Sequence, residues 1–423
     1  MPSLFNRLGH WLGADRIAMS AAKPGATPAA APGGPLAGRL AGAKASATGA
    51  LIALQSQGRP VWTPRDYAAL AREGFARNAV VYRCVRMISE AAGSLTWLAY
   101  EGGRELDTHP LLDLLERPNP RQGGAEMLEA LFGHLLISGN AYLEQVSLSG
   151  APRELHVLRP DRMKVVPGAE GWPESYEYSA GGQTMRFDAE GAGGARPILH
   201  LALFHPTDDH YGMSPLEAAA ASVDIHNAAG SWNKALLDNS ARPSGVLVYA
   251  PAEAGMGLSH EQYERLKEEL EQGFQGAGNA GRPLLLEGGL DWKATSLSPR
   301  DMDFTDAKHA AARDIALAFG VPPMLLGIPG DNTYSNYQEA NRAFWRQGVL
   351  PLAGKFAKAF SAWLAPAFGA DLRLAVDLDR IDALGAEREA LWNRLREADF
   401  LTPDEKRAAV GYGPLQGSGR APA

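Results

Sequence analysis

Two long stretches of the sequence place apolar residues along one side of a helix. The first helix is predicted to run from Ser214 to about Ser240, before Pro243, and to be about 40 Å long at 1.5 Å per residue. Its predicted apolar face carries Ile225, Ala229, Trp232 and Leu236. Its opposite face carries Asp224, Asn227, Ser231, Lys234 and Asp238, so the helix is two-sided. The second helix, from Ser298 to about Phe319, has a stripe formed by Phe304, Ala307, Ala311, Ile315 and Ala318.

A recurring sequence of Ser or Thr, Pro, any residue and an acid predicts where helices begin. The hydroxyl accepts a hydrogen bond from the first turn, Pro has no N–H to leave unpaired, and the acid interacts favourably with the positive end of the helix dipole. The signal occurs at Thr63, Ser214, Ser298 and Thr402. Capping boxes, in which Gln follows Ser by three residues, predict two more starts at Ser259 and Ser335.

Alternation of apolar and polar residues before Ser214 predicts antiparallel strands. The strands are expected over 140–148, 154–158 and 163–166, with a turn at Ser149-Gly150, and a hairpin over 176–187 turns at Gly181-Gly182. Between the two long helices, a compact α/β insert is predicted. Its elements are a strand over 245–249, a helix from 259 to about 275, and strands around 283–287 and 290–297. The fold class is therefore predicted to be α+β.

The two ends of the chain differ in pattern from its middle. A long helix is predicted from Ser335 to Leu364, with a kink at Pro351 because Pro removes a helical hydrogen bond. Residues 21–49 are dominated by Ala, Gly and Pro and are predicted to be a flexible linker. Residues 4–12 hold large apolar side chains at helical spacing, which fits either a short amphipathic docking segment or a frayed terminus.

Composition and cysteine content narrow the class of protein. The chain has 423 residues, which suggests about three domains of roughly 150 residues each. Its 45% hydrophobic and 21% charged residues are typical of a globular protein. Cys84 is the only cysteine, so no intrachain disulfide is expected, and its side chain is predicted to be buried. No apolar run approaches the roughly 18 residues of a membrane-spanning helix, so we expect no membrane partner and assembly in the cytoplasm.

The charge of the chain is unevenly distributed. Met1 to Arg86 holds 11 Lys and Arg against 3 Asp and Glu, a formal charge of +8. Since the net charge of the whole chain is −7, the remaining residues carry −15. Either a basic region with an acidic partner or a solvated tail accounts for this asymmetry. Arg65, Arg72 and Arg77 are the candidate basic contact surface, with a solvated helix face as the alternative.

The sequence provides no support for catalysis or for a bound cofactor. No Gly-rich loop ending in Gly-Lys-Ser/Thr is present, so we expect no intrinsic ATPase activity. The segment from Gly212 to Ser214 lacks the second glycine of a nucleophile elbow. The cluster over 205–210 and the alternating Asp377, Asp379 and Asp382 were the candidates for a metal site. A turn is the favoured interpretation of both, so no catalytic, cofactor or metal residue is predicted.

Eight blocks of sequence occur in order between Asn78 and Tyr337. They are NAVVYRCVRMISEAAGSL (78–95), GNAYLE (139–144), LRP (158–160), the segment 200–216 ending in YGMSPL, ARPSGVL (241–247), GRPLLLEGG (281–289), FGVPPMLL (319–326) and TYSN (333–336). In this order they resemble the portal proteins of tailed bacteriophages, including those of prophages and gene transfer agents. The resemblance extends over residues 78–414, and the first 60 residues match poorly, so their role stays open.

This resemblance implies a fold and its parts. The portal family has a wing, a stem, a clip, a tunnel loop and a crown. Transferred to this chain, the parts are a flexible N-terminal segment (1–60), the first part of a mixed β wing (61–213), a stem helix (214–242), an α/β clip (243–298), a second stem helix (299–319), a tunnel loop (320–334), a long kinked helix with a wing strand (335–381), and a short helical crown with a C-terminal tail (382–423). Asp331, Asn332 and Thr333 are the residues expected to line the channel.

The resemblance also implies a function. Portal proteins form a homo-oligomeric ring, typically of twelve subunits, at one capsid vertex, and double-stranded DNA is packaged, retained and ejected through it without sequence specificity. The implied partners are the major capsid protein, the large terminase subunit and a head-tail adaptor, and the implied location is the virion after assembly in the host bacterial cytoplasm. Another head-tail connector or adaptor is the alternative, although adaptors are usually far shorter. A hydrolase with an unrecognised site is a third.

Overall fold

The computed structural model describes residues 62–64, 66–191, 194–238, 245–249, 259–274, 290–294, 304–330 and 334–414. Helices and antiparallel strands alternate along this part of the chain, which confirms the α+β fold class. The predicted linker and docking segment lie outside the described residues. Among the helices that are described, none is both long and apolar enough to cross a membrane.

Four helices precede or interrupt the first strands. They are α1 (Tyr67–Ala69), which continues as a π-helical turn over Leu70–Ala76, α2 (Ala79–Gly93), α3 (Pro110–Glu116) and α4 (Gly124–Ser138). The helix start predicted at Thr63 is wrong. Asp66 caps α1 instead, because its carboxylate accepts a hydrogen bond from the Ala69 N–H at 2.9 Å. The Thr63 hydroxyl donates to Asp224, far away in the sequence.

Eleven strands pair within four antiparallel sheets in the described part of the chain. They are β1 (Trp97–Glu101), β2 (Arg104–Leu106), β3 (Asn140–Leu148), β4 (Ala151–Leu158), β5 (Met163–Pro167), β6 (Pro173–Ala180), β7 (Gln183–Asp188), β8 (Ile198–Ala202), β9 (Gly245–Tyr249), β10 (Leu290–Ala294) and β11 (Leu372–Val376). The strand orders are β11-β1-β2, β4-β3-β8, β5-β6-β7 and β10-β9.

The strands agree closely with the alternation pattern in the sequence. The hairpin between β3 and β4 turns at Ser149 and Gly150, with φ of 52° and 82°. The hairpin between β6 and β7 turns at Gly181 and Gly182, with φ of 59° and 80°. Positive φ at both central residues is the geometry of the tight hairpin turn that matches the twist of paired strands. The strand predicted around 283–287 lies outside the described residues.

The second half of the chain is mainly helical. Its helices are α5 (Pro215–Ala218), α6 (Ala220–Asp238), α7 (His260–Phe274), α8 (Phe304–Phe319), α9 (Tyr334–Ala343), α10 (Leu350–Phe368), α11 (Gly385–Arg396) and α12 (Pro403–Val410). Short 3-10 turns occur at Pro160–Arg162, Pro323–Leu326, Leu378–Arg380 and Asp382–Leu384.

Three of the predicted helix starts are confirmed by their hydrogen bonds. The Ser214 hydroxyl accepts from the Glu217 N–H at 2.8 Å, and Ser259 and Thr402 form the capping boxes with Gln262 and Glu405. The start predicted at Ser335 is wrong, because α9 begins at Tyr334 and already includes Ser335. The start predicted at Ser298 lies outside the described residues.

The predicted long helix is present over residues 334–368. A π-helical turn over Phe344–Val349 separates α9 from α10, and Pro351 lies in the first turn of α10. Because Pro351 has no N–H, the continuous helix lacks one backbone hydrogen bond directly after the π turn. Pro366 lies inside α10 near its end.

The main core is formed by α2, α4, α10 and the strands that they cover. Ile88, Phe132, Phe356 and Phe360 are almost completely buried in it, and Cys84 is fully buried there, as predicted. A second cluster fills the space between the β4-β3-β8 and β5-β6-β7 sheets. Its buried residues are Tyr142, Leu158, Met163, Val165, Tyr176, Tyr178 and Ile198.

Candidate subunit interface and channel

Two of the sequence blocks meet where the segment before α6 joins the helices and strands around the main core, which we call the body. Gly139 adopts φ of 77° at the end of α4, and a Cβ atom on it would lie 2.2 Å from the Gly212 carbonyl oxygen. Only glycine permits two backbones to approach this closely. The Asn140 carboxamide oxygen accepts from the Gly212 N–H at 2.8 Å, and its amide donates to the Gly212 carbonyl oxygen at 3.3 Å. The blocks GNAYLE and YGMSPL therefore form a single rigid junction.

The polar face of α6 is directed toward the body of the protein. The Asp224 carboxylate accepts hydrogen bonds from both the backbone N–H and the hydroxyl of Thr63. The Asn227 amide donates to the Glu73 carbonyl oxygen at 2.8 Å, and Arg77 donates to the Ser231 hydroxyl at 3.3 Å. Polar contacts, and not apolar burial, therefore attach this side of α6 to the helices before it.

Asn78 is the central residue of this attachment. It is 1% exposed and caps α2, since its side-chain oxygen accepts from the Val80 and Val81 N–H groups. Its amide nitrogen lies 3.0 Å from the Asn227 Oδ1 and 3.1 Å from the His226 Nδ1. Sequence reasoning missed this residue, although an Asn immediately before an apolar helical run is a recognisable helix cap.

The exposed face of α6 is apolar. Ala221, Ile225, Ala228 and Trp232 occupy one stripe at helical spacing, and all four are exposed. The exposed fractions of Ile225 and Trp232 are 45% and 42%. We call these four residues the α6 stripe. The predicted two-sided division is therefore only partly present, because Val223 and Ala229 are buried while the α6 stripe is exposed.

The predicted stem residues lie on different surfaces. Ile225 and Trp232 belong to the α6 stripe, whereas Ala229, predicted on the same face, is buried. In α8, Ile315 is fully buried in the main core. The helices α6 and α8 are joined by a hydrogen bond from the Ser222 hydroxyl to Asp314 at 3.3 Å. The side chains of Leu236 and Phe304 lie outside the described residues.

The predicted clip is described only in part. Strands β9 and β10 pair with Leu290 opposite Tyr249. From Ser259 to Glu268, every side chain is exposed except Leu266, which is half-buried. Tyr263 is 55% exposed on the same side of α7 as Leu266. The described part of α7 therefore has an apolar side with little cover from its own chain.

The first part of the predicted tunnel loop is packed against the body. Val321 and Ile328 are buried, and Pro323–Leu326 forms a 3-10 turn. The Arg313 guanidinium donates to the Pro329 carbonyl oxygen and so attaches the segment to α8. The predicted channel-lining residues Asp331, Asn332 and Thr333 lie outside the described residues.

Of the three arginines predicted to form a basic surface, Arg77 is paired with an acid, as is the nearby Arg86. Arg77 contacts Glu73 at 2.7 Å. Arg86 contacts Glu90 and Glu129, and the presence of Glu129 and Glu90 raises the pKa of its guanidinium. Arg72 is exposed, and Arg65 lies outside the described residues. The sequence did not reveal this pairing because Glu129 is 43 residues away from Arg86.

The two candidate metal clusters form turns. The Asp208 carboxylate accepts from the His210 and Tyr211 N–H groups, which lowers its pKa. Asp379 interacts with Arg388 and with the Tyr412 hydroxyl, and Asp377 caps the 3-10 turn that contains Asp379. Across the described ranges, no group of three or more His, Cys, Asp or Glu side chains is arranged to hold a metal ion.

Comparison with known proteins gives a consistent family. The model of the phage portal protein family matches residues 79–411. An uncharacterized protein of Rickettsia bellii is 42% identical over 341 residues, which cover 80% of this chain and 88% of the relative. The portal protein of Enterobacteria phage HK97 is 26% identical over 359 residues, which cover 82% of this chain and 81% of that protein.

Solved structures give the same result. A chain from the neck of a native gene transfer agent particle, computed with C12 symmetry, is 55% identical with a TM-score of 0.64, covering 85% of this chain and 96% of that chain. A HK97-family phage portal protein from Corynebacterium diphtheriae, at 16% identity and a TM-score of 0.53, shares the fold and covers 76% of this chain and 99% of its own. Since the family model spans most of its length, the chain belongs to the phage portal protein family, whose members are structural proteins and not enzymes.

Proposed function

We propose that this chain forms a closed ring around a channel for double-stranded DNA at one vertex of a phage or gene transfer agent capsid. The observation that carries the proposal is the exposed α6 stripe, since contiguous exposed apolar side chains mark contact surfaces. Similarity to a chain in a neck with C12 symmetry supports a ring of twelve subunits.

The α6 stripe has the properties of a subunit contact. Burying a large apolar side chain contributes roughly 1.5–3 kcal/mol, and Ile225 and Trp232 both remain partly exposed in the single chain. Ala228 lies between them and Ala221 lies one turn before Ile225, so a neighbouring helix can approach closely. A head-to-tail contact repeated around an axis closes into a ring. The α6 stripe would be one of the two surfaces of that contact.

The predicted clip supports the same proposal. On the exposed side of α7, Tyr263 is 55% exposed and Leu266 is only half-buried. Contacts with the clip of the neighbouring subunit would cover these side chains. We therefore propose that stem and clip together form most of the subunit contact.

The proposed channel carries DNA without reading its sequence. Residues 87–423 carry a formal charge of −15, and an acidic wall repels phosphates and limits sticking contacts. We propose that Asp331, Asn332 and Thr333 project into the narrowest part of the channel. DNA movement would require a separate motor, the large terminase subunit, with the major capsid protein and a head-tail adaptor as further partners in the virion.

Negative-stain imaging and mass photometry of the purified full-length protein test this proposal. We expect rings with a central hole and a mass near twelve subunits over a range of salt concentrations. A particle that stays monomeric at every salt and protein concentration would overturn it. Deletion of residues 327–332 should leave the rings intact and reduce the length or retention of packaged DNA. Normal packaging by that deletion would contradict the channel assignment.

A further inference from the structure

The helix formed by α9 and α10 is interrupted by an irregular turn. Over Phe344–Val349 the backbone is π-helical, and the Leu350 N–H donates to the Trp345 carbonyl oxygen five residues earlier. Pro351 follows directly and has no N–H to restore regular α-helical bonding. A π turn within a helix is a local weakness that is frequently found at functional positions.

The helices before and after this π turn differ in how much apolar surface they bury. Beyond it, α10 contributes Ala353, Phe356 and Phe360 to the main core. Before it, every residue from 335 to 339 in α9 is exposed. The α9 side therefore has far less apolar burial to hold it in place than the α10 side.

One carboxylate from another element spans the turn. Glu387 lies on α11, and its Oε1 atom is 3.3 Å from the Arg342 Nε and 3.2 Å from an Arg346 terminal nitrogen. Arg342 is on α9, whereas Arg346 is inside the π turn. Arg342 also contacts Glu339 at 3.0 Å. The Glu387 carboxylate therefore bridges α9 and the π turn by ion pairs.

A cavity of about 370 Å³ lies beside the same turn. Asn341 and Trp345 line one side of it, and Ile381, Asp382 and Ala383 line the other. Packed protein interiors resist motion because they lack free space of this size. The cavity gives α9 room to move without displacing the buried side chains of α10.

We propose that the π turn is a hinge for α9 and that Glu387 is the positioning residue that holds it. Because α9 follows the predicted tunnel loop directly, movement at the hinge would move the end of that loop. Because Glu387 belongs to the predicted crown, the crown would set the position of the loop. This coupling to the channel rests on the proposed function, whereas the hinge itself lies within a single chain.

Hydrogen–deuterium exchange of the full-length protein tests the hinge. Since solvent-exposed ion pairs contribute modestly, Glu387→Gln should raise amide exchange in residues 334–343 by about two- to fivefold. Exchange in residues 350–368 should not change. The matched control is Glu389→Gln, which removes an exposed carboxylate from the same helix and should leave α9 unchanged.

A double-mutant comparison separates positioning from a general loss of stability. Replacing Arg342 and Arg346 together with Gln should raise exchange in α9 as much as Glu387→Gln, and combining all three changes should add nothing further. Unchanged exchange in α9, additive effects, or an equal rise in α10 would each overturn the proposal. Ring formation is measured separately by mass photometry. A protein without rings but with this exchange pattern would contradict the proposed function and leave the hinge supported.

Discussion

Apolar side chains are buried in the main core but partly exposed in the α6 stripe. In the core, Phe132 and Phe356 are almost fully buried, with ring centroids 5.9 Å apart. In α6, Ile225 and Trp232 remain 45% and 42% exposed while Asp224 and Asn227 bind the body. The main core buries its apolar groups within one chain, whereas Ile225 on the outer side of α6 stays 45% exposed. This difference supports the proposal that the predicted stem helix takes part in assembly.

The largest expected effect is a loss of stability after a substitution in the main core. Phe132→Ala should lower the free energy of unfolding by about 3–5 kcal/mol, because it removes a fully buried ring and leaves a cavity. Urea denaturation measures the change. Phe400→Ala is the matched control, since Phe400 is 86% exposed and its loss should change stability by less than about 0.5 kcal/mol. Equal effects of the two substitutions would contradict the assignment of the core.

A buried histidine should make the stability of the body depend on pH. Burial, together with the nearby His210 and Lys355, lowers the pKa of His200 to about 4. The unfolded chain, with a histidine pKa near 6.5, binds more protons between pH 6.5 and 4, so stability falls as the pH falls through that window. The loss amounts to roughly 3 kcal/mol at most.

His200→Gln should flatten the fall in stability between pH 6.5 and pH 4. The measurement is urea denaturation at a series of pH values. The exposed His260 on α7 provides the control, and His260→Gln should leave the slope unchanged. An unaltered slope in His200→Gln would show that this residue is not the group that couples stability to pH.

A substitution at the junction between the body and the predicted stem helix should cause a loss of stability of intermediate size. Asn140→Ala removes the acceptor of the Gly212 N–H and the partner of His200, whose Nε2 lies 3.0 Å away. A buried donor left without a partner costs about 1–3 kcal/mol, so we expect a loss of about 2 kcal/mol in the free energy of unfolding. Asn393→Ala, at an exposed position on α11, should cost less. A smaller loss for Asn140→Ala than for Asn393→Ala would argue against a rigid junction.

Local signals in the sequence predicted much of the fold. Helix caps at Ser214, Ser259 and Thr402 and the hairpin turns depend on nearby residues, so their positions follow from short segments. The periodicity of α6 also predicted a two-sided helix. It did not predict which side faces the body, because that depends on Asn78 and Thr63, about 150 residues away.

Long-range pairing explains the other differences from the sequence predictions. Thr63 fails to begin a helix because it binds Asp224. The basic character expected at Arg77 and Arg86 is reduced by ion pairs with Glu73, Glu90 and Glu129. Contacts of this kind leave no periodic signal along the chain. The channel-lining and clip assignments stay predictions based on family resemblance.

Removal of the basic N-terminal region should have a smaller effect, which concerns DNA binding. Residues 1–59 hold six Lys and Arg against one Asp, whereas several arginines of the body are already paired with acids. Removing Met1 to Arg59 should therefore weaken binding of double-stranded DNA and flatten its dependence on salt, while rings persist. Binding measured by fluorescence anisotropy over a salt series tests this. Unchanged affinity and salt slope would place the basic surface in the body instead.

The most direct test of the central claim compares two equally exposed apolar residues. Ile225 lies in the α6 stripe and is 45% exposed, and Met185 lies on β7 in the predicted wing and is 50% exposed. Mass photometry of Ile225→Glu should show loss of rings with the subunit still folded, whereas Met185→Glu should form rings as the unmodified protein does. Intact rings in Ile225→Glu, or equal loss of rings in both variants, would contradict the α6 stripe as the subunit interface.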